Sequence, residues 1–295
     1  MPKSTLRKNL KLKPSQLVKK RKQQFIFKIG LYSVFCISLI IGISSLSAAS
    51  FMTIDETQVK GLGFLKESQI TEIVSEKTQG RLLWLFPKTN IFLYPKEEIK
   101  TEILKKYKRV NEAQVSLKDF SDLDISITER KPFALWCKEI EVKSENYEET
   151  EREFQKREEC FFLDENGFIF DEVLDSDLDN VSNLAKHFGS LTKAGEIGSS
   201  FLGHAKFKNL YNFLGLVSST FEIKPKIIRK QESTLEIFLD FGSVLKISAD
   251  DDFEKTFENL ITLLSDSEFQ KVNNPLSLFE YIDLRFGQKV FYKLR

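Results

Sequence analysis

Residues 29–51, IGLYSVFCISLIIGISSLSAASF, run for 23 positions without a formal charge. At 1.5 Å of rise per residue this makes about 34 Å of helix, enough for a hydrocarbon layer of about 30 Å. No polar face interrupts the run, so the core of a soluble domain is a poor home for it. A cleaved signal peptide is the alternative, since Ala48, Ala49 and Ser50 are small residues near the end. Signal cores, however, are usually only about 7–15 residues long. A single transmembrane helix over 29–51 is therefore expected.

Charge is divided at the same place. Residues 1–28 hold ten Lys or Arg and no acid, whereas residues 29–295 carry a net charge of −9. Lys and Arg collect on the cytoplasmic flank of a membrane span. The expectation is a basic cytoplasmic tail over 1–28, with everything beyond about residue 52 outside the cytoplasm. The tail lacks interleaved aromatics and a recognisable binding fold, so no nucleic-acid partner is expected. Orientation and contact with anionic membrane lipid account for it.

Beyond the span, hydrophobic periodicity divides the chain again. Lys66–Gln79 places Ile70, Ile73 and Val74 on one helical face, and a second helix starts near Pro95 with Ile99, Ile103, Leu104 and Tyr107 on one face. Glu97 and Glu98 suit its positive end. Ala113, Val115 and Leu117, then Leu123, Ile125 and Ile127, alternate with polar residues as half-buried strands do. With an extended run before Gly61, the order over 52–131 is β-α-α-β-β: two helices on a three-stranded sheet in a small α+β domain. Pro132 cannot donate to a strand ladder, so one sheet ends there and another begins.

The region 132–295 reads as mostly β with flanking helices. Strands are expected at Phe133–Cys137, Cys160–Asp164, Phe168–Phe170, Phe221–Ile228, Leu235–Asp240 and Val244–Ser248, with Asn166-Gly167 as a hairpin turn. A last strand is expected over Tyr281–Tyr292. Helical faces fall at Phe207, Leu210, Tyr211 and Leu214 and at Phe253, Phe257, Leu260, Ile261 and Leu264, the second after Asp250-Asp251-Asp252. Between Cys137 and Cys160 lies an insert, 138–159, in which 14 of 22 residues are charged. Such a segment builds no core of its own and reads as a solvated excursion. Facing strands at its two ends make a Cys137–Cys160 disulfide possible, worth about 3 kcal/mol on the chain-entropy account; two free thiols are the alternative.

No catalytic constellation is visible. His187 and His204 lack a nucleophile or metal motif, and the glycines at 195, 198 and 203 have the wrong spacing for a phosphate loop. No enzymatic activity, cofactor or metal is expected.

Five motifs together narrow the fold. Val59-Lys60-Gly61 close to the membrane, the Arg109–Val115 strand, Glu129-Arg130-Lys131-Pro132 and the Asp164–Phe170 hairpin resemble the FtsQ/DivIB family of bacterial cell-division proteins, as does Tyr281-Ile282-Asp283-Leu284-Arg285-Phe286. The resemblance implies a POTRA domain followed by an FtsQ-type β domain. It also implies a scaffold of the divisome, binding FtsB/DivIC-like and FtsL-like membrane proteins and, through them, the septal peptidoglycan synthase complex. In that family the terminal strand receives a partner segment by strand addition. Carried over by position, Phe286 and Tyr292 are the expected partner contacts; at an edge strand Arg285, Lys289 and Lys293 either deter aggregation or select an acidic partner, and Glu129, Arg130 and Pro132 form the interdomain joint. Two rival readings are a POTRA-bearing component of outer-membrane assembly or secretion and a membrane-anchored cell-wall hydrolase. The first needs repeated POTRA units and a long β-barrel pattern, and this chain shows one unit.

Overall fold

The computed structural model describes residues 16–119, 121–143, 154–174, 177, 181–191 and 196–295. Most of the basic tail and the centre of the charged insert lie outside them. The architecture is α+β, with an N-terminal apolar helix and a large, mostly β carboxyl-terminal region. The chain forms two compact units, one of residues 1–103 and 113–127, the other of 104–112 and 128–295.

The first unit begins with α1 (Gln16–Ser47). Its stretch Lys19–Ser47 is long and apolar enough to cross a membrane, and its large side chains from Phe25 to Leu46 are exposed. Strand β1 (Glu56–Lys60) pairs in parallel with β5 (Asp122–Glu129), which also neighbours β4 (Val110–Lys118), giving the sheet order β1-β5-β4. Leu123, Ile125 and Ile127 of β5 and Ala113 and Val115 of β4 are buried, as their alternation requires. Helices α2 (Glu67–Thr78) and α3 (Lys96–Lys106) bury Ile70, Ile73 and Val74, and Ile99 and Ile103, respectively. Gly61 takes φ +81°, and a Cβ there would lie 2.0 Å from the Ile127 carbonyl oxygen, so glycine is required where β1 ends against β5. Between the two helices the sequence reading expected only a connection. The chain instead makes a small hairpin, β2 (Arg81–Leu82) and β3 (Phe86–Pro87).

The second unit is built on a nine-stranded sheet of order β14-β13-β12-β11-β10-β9-β6-β7-β8. These strands are β6 (Ala134–Lys143), β7 (Phe154–Leu163), β8 (Ile169–Glu172), β9 (Lys186–Gly189), β10 (Ile227–Gln231), β11 (Thr234–Phe238), β12 (Val244–Ser248), β13 (Phe279–Phe286) and β14 (Lys289–Leu294). Helices α4 (His204–Phe221) and α5 (Phe253–Leu264) contribute Phe207, Leu210, Phe213, Leu260 and Leu264 to the main core, with Ile237, Leu245 and Ile282 from the sheet. A smaller cluster gathers Leu135, Cys137, Phe162, Phe170, Val181 and Phe188. Asp252 caps α5 by accepting a 3.0 Å bond from the Glu254 N–H, which explains the run of acids before that helix.

Three sequence expectations require correction. Phe221–Ile228 is not one strand: α4 runs to Phe221, Glu222 closes it in the left-handed conformation, and β10 starts only at Ile227. The helical repeat of Phe207, Leu210, Leu214, Val217 and Phe221 outweighs the local β-branched bias. Tyr281–Tyr292 is two strands, because Gly287 accepts φ +61° and turns the chain so that Phe286 pairs with Lys289. Finally, both described ends of the insert are no free excursion. They continue β6 and β7 as one antiparallel ladder, Lys143 opposite Phe154. Backbone pairing needs no apolar side chain, so composition did not reveal it.

Candidate functional site

A sheet has two edges, and here they differ. Beside β8, the segment 198–201 closes the edge: the Ile169 N–H donates to the Ser199 carbonyl (2.9 Å), the Gly198 N–H to the Ile169 carbonyl (2.8 Å) and the Phe201 N–H to the Gly167 carbonyl (3.1 Å). Beside β14, no further strand is paired among the described residues. The outer backbone groups of β14 are thus the open edge of the sheet.

The open edge is held in place. At its far end the Arg295 N–H donates to the Leu278 carbonyl (3.0 Å), and the guanidinium donates to the carbonyls of Phe241 (2.6 Å) and Phe279 (3.2 Å). At the turn, the Asn259 amide donates to the Gly287 carbonyl (2.8 Å). Val290 packs on the main core. The strand is therefore presented in an extended, fixed form.

Its side chains are unusually apolar for an edge. Phe286 is 53% exposed, Phe291 52%, Tyr292 44% and Leu294 49%. Phe286 and Phe291 meet edge to face with ring centroids 5.3 Å apart. Tyr292 leans the other way, against Phe279 (5.3 Å) and Phe269 (5.8 Å), so its ring is partly built into the core. Lys293 forms a 2.6 Å surface pair with Glu280, whose hydrogen bond raises the lysine pKa.

The sequence-predicted contacts Phe286 and Tyr292 therefore lie at this edge, whereas Ile282 and Leu284, left out of the expected contacts, are each 1% exposed. Arg285 is engaged within the chain. It donates to both oxygens of Asp283 (2.8 and 2.6 Å) and to Thr234 Oγ1 (3.0 Å). Burial opposes ionisation of Asp283, but the Arg285 hydrogen bonds hold its carboxyl below the usual range. Phe291 was missed by sequence reasoning. Its pairing with Phe286 follows only once Gly287 is known to be a turn.

The residues around Pro132 form a second feature, all of it within the second unit. The Arg130 N–H donates to the Arg109 carbonyl (2.7 Å). Arg130 pairs with buried Asp164 and lies over the Phe168 ring at 4.4 Å. Arg109 repeats the arrangement with Asp171 (2.6 Å) and the Phe170 ring (5.4 Å). Asp164 also accepts from the N–H groups of Asn166 (2.8 Å) and Phe168 (2.9 Å), so one carboxylate joins the hairpin turn to Arg130. Glu129, Arg130, Pro132, Phe133, Asp164 and Asn166 line an open groove of about 450 Å³. Arg109 and Asp171 were not anticipated as partners, since they stand 62 residues apart.

Cys137 and Cys160 are directly opposite in the β6–β7 ladder and are joined by a disulfide, with Cα atoms 4.1 Å apart. His187, at the centre of β9, is fully buried. Its Nδ1 bonds the Leu135 carbonyl (3.0 Å), and Tyr211 Oη meets its Nε2 at 3.3 Å. Burial lowers its pKa to about 4 and raises that of Tyr211. The imidazole is neutral at pH 7: Nδ1 donates, Nε2 accepts, and both nitrogens are occupied by structure. Comparison with protein-family models and with curated proteins returns no match.

Proposed function

We propose that this chain is a non-enzymatic, single-pass membrane scaffold whose β14 edge captures an extended segment of another protein by strand addition. The observation that carries the reading is the contrast between the two sheet edges: one is closed by the chain's own 198–201 segment, and the other is open, braced and lined with half-exposed aromatics. An added strand would gain main-chain hydrogen bonds along β14, while Phe286 and Phe291 would offer apolar area to its alternate side chains. Leaving such an edge uncovered risks aggregation, which makes a dedicated occupant the economical explanation.

The membrane side of the proposal rests on the apolar Lys19–Ser47 helix and on the ten basic residues before position 29. With the amino end in the cytoplasm, both units beyond the helix would lie outside it, where the Cys137–Cys160 disulfide persists. The motifs resembling the FtsQ/DivIB family specify the partner class: FtsB/DivIC-like and FtsL-like single-pass division proteins, and through them septal peptidoglycan synthesis. In this reading residues 52–131 are the POTRA domain. The protein acts by recruitment and geometry, and no bond is made or broken.

The test is co-purification of the FtsB/DivIC-like protein with the full-length chain, combined with the position of a fluorescent fusion in dividing cells. Capture that is lost with Phe286→Glu or Tyr292→Glu, together with mid-cell bands, supports the reading. Uniform membrane fluorescence and unaltered capture by both variants would overturn it.

A further inference from the structure

We propose that the Arg81–Pro87 hairpin is a second membrane contact, its Leu83-Trp84 tip seated among the lipids beside the outer end of α1. The inference rests on the reading of α1 as a membrane span; it does not depend on the β14 edge or on any partner.

The hairpin is tied to the helix at two levels. Ser44 Oγ of α1 donates to the Leu85 carbonyl (2.7 Å). One turn further along, the Asn90 amide donates to the Ser47 carbonyl (2.9 Å) and to Ser47 Oγ (3.0 Å). Asn90 is buried, and the Ile54–Thr89 and Ile91–Met52 backbone bonds (2.9 Å each) fasten the same segment to the chain leaving the helix. The segment 81–92 therefore has a defined depth relative to α1.

That depth coincides with the outer margin of the apolar layer. About 24 Å of helix separates Lys28, the last charge before the apolar run, from Ser44. A hydrocarbon layer of about 30 Å entered near Lys28 would not yet have ended at Ser44. The carbonyl of Leu85 is thus brought to a level where an unbonded polar group is costly, and the Ser44 hydroxyl satisfies it.

The side chains at this level suit lipid. Trp84 is 92% exposed, Leu83 75%, Phe92 76% and Leu82 44%. Trp is the residue most at home at the membrane–water interface, with an apolar ring and one N–H donor. Arg81 and Lys88, at the base of the hairpin, supply cations for headgroup phosphates.

The backbone supports the same conclusion. The Leu85 N–H donates to the Leu82 carbonyl (3.1 Å), and both central residues of this turn take positive φ, Leu83 +50° and Trp84 +66°. Asn-Gly makes such a turn without strain, whereas bulky side chains resist it. Strain of this kind is kept where the side chains it presents have a task.

Tryptophan fluorescence tests the proposal directly, because the chain has only two tryptophans and the other, Trp136, is 6% exposed. The full-length protein is reconstituted in phosphatidylcholine–phosphatidylglycerol vesicles, with and without brominated acyl chains. Comparison with a Trp84→Phe variant isolates the Trp84 emission. Bromine near the upper acyl chain should reduce that emission about twofold or more, as expected of an interfacial tryptophan. Equal emission in the two vesicle types, whether aqueous iodide then reaches Trp84 or protein shields it from both quenchers, would overturn the proposal. Co-flotation with the vesicles reads the anchor separately: protein that fails to float refutes the span and the hairpin contact together. Protein that floats with unquenched Trp84 refutes the hairpin contact alone.

Discussion

Phe286 closes β13 and Phe291 stands in β14, and across the Gly287-Gln288 turn their rings meet edge to face at 5.3 Å while about half of each remains exposed. The pair is far too open to be a core contact and too ordered to be a random surface pair. Each ring covers part of the other, and Arg285 lies over the Phe286 ring at 5.4 Å. Both lie on the strand pair beside which no further strand is paired among the described residues, so apolar side chains and edge backbone groups fall at the same place.

Phe286→Glu and Phe291→Glu should each abolish partner capture while changing folding stability by only about 0.5 kcal/mol, since neither ring is buried. Tyr292→Glu should cost more stability, because its ring packs against Phe279 and Phe269. Pull-down and urea unfolding on the same three variants separate the effects. Equal stability losses at all three positions would show that the pair belongs to the fold.

Removing the disulfide should lower stability by about 3 kcal/mol, the chain-entropy value for a loop of this length. Cys137 and Cys160 are 23 residues apart and paired across a ladder that is already formed, so the native strands gain little else from the bond. Unfolding midpoints with and without reductant measure the loss. An unchanged midpoint would show that the bond adds no effective restriction to the unfolded chain.

Acid should destabilise the second unit through His187. The folded pKa of about 4 lies below the ordinary 6.5, so the unfolded chain takes up a proton that the folded one excludes. The stabilisation is complete above pH 6.5 and disappears as pH falls toward 4, a change of about 3 kcal/mol. A His187→Asn variant should show a flatter stability profile across that window. Parallel profiles for the two proteins would remove His187 as the cause.

Asp164→Ala should cost about 3 kcal/mol, since it leaves the Arg130 cation, only 18% exposed, without its carboxylate and frees two turn N–H groups. Adding Arg130→Met should restore part of the loss, because the stranded charge is then gone. A thermal double-mutant cycle reads the coupling. Strict additivity would mean that the two residues act independently.

Much of this was legible in the residues themselves. The charge-free 29–51 run, the alternation of Leu123, Ile125 and Ile127, the α2 and α5 faces and the Asn166-Gly167 turn are local patterns, each readable within one continuous stretch of chain. Local patterns fail where the competing signal lies elsewhere. The four-residue β9 carries no alternation and owes its place to the parallel neighbours β6 and β10, so His187 gave no sign of being buried. The Arg285–Asp283 pair, two positions apart on one strand, was within reach of the sequence, whereas the bond from Arg285 to Thr234, 51 residues away, was not.

From the sequence alone came an apolar helix of membrane-crossing length, a sharp division of charge and two successive sheet-containing regions. These are properties of composition and short-range period, which neighbouring residues settle among themselves. Which edge of the nine-stranded sheet stays open, and that Trp84 is carried to the end of α1, were decided by tertiary structure. Both depend on hydrogen bonds between segments far apart in the chain, Ser199 with Ile169 in the first case and Ser44 with Leu85 in the second. In both the acceptor is a backbone carbonyl, which every residue carries, so the order of side chains does not reveal which one is chosen.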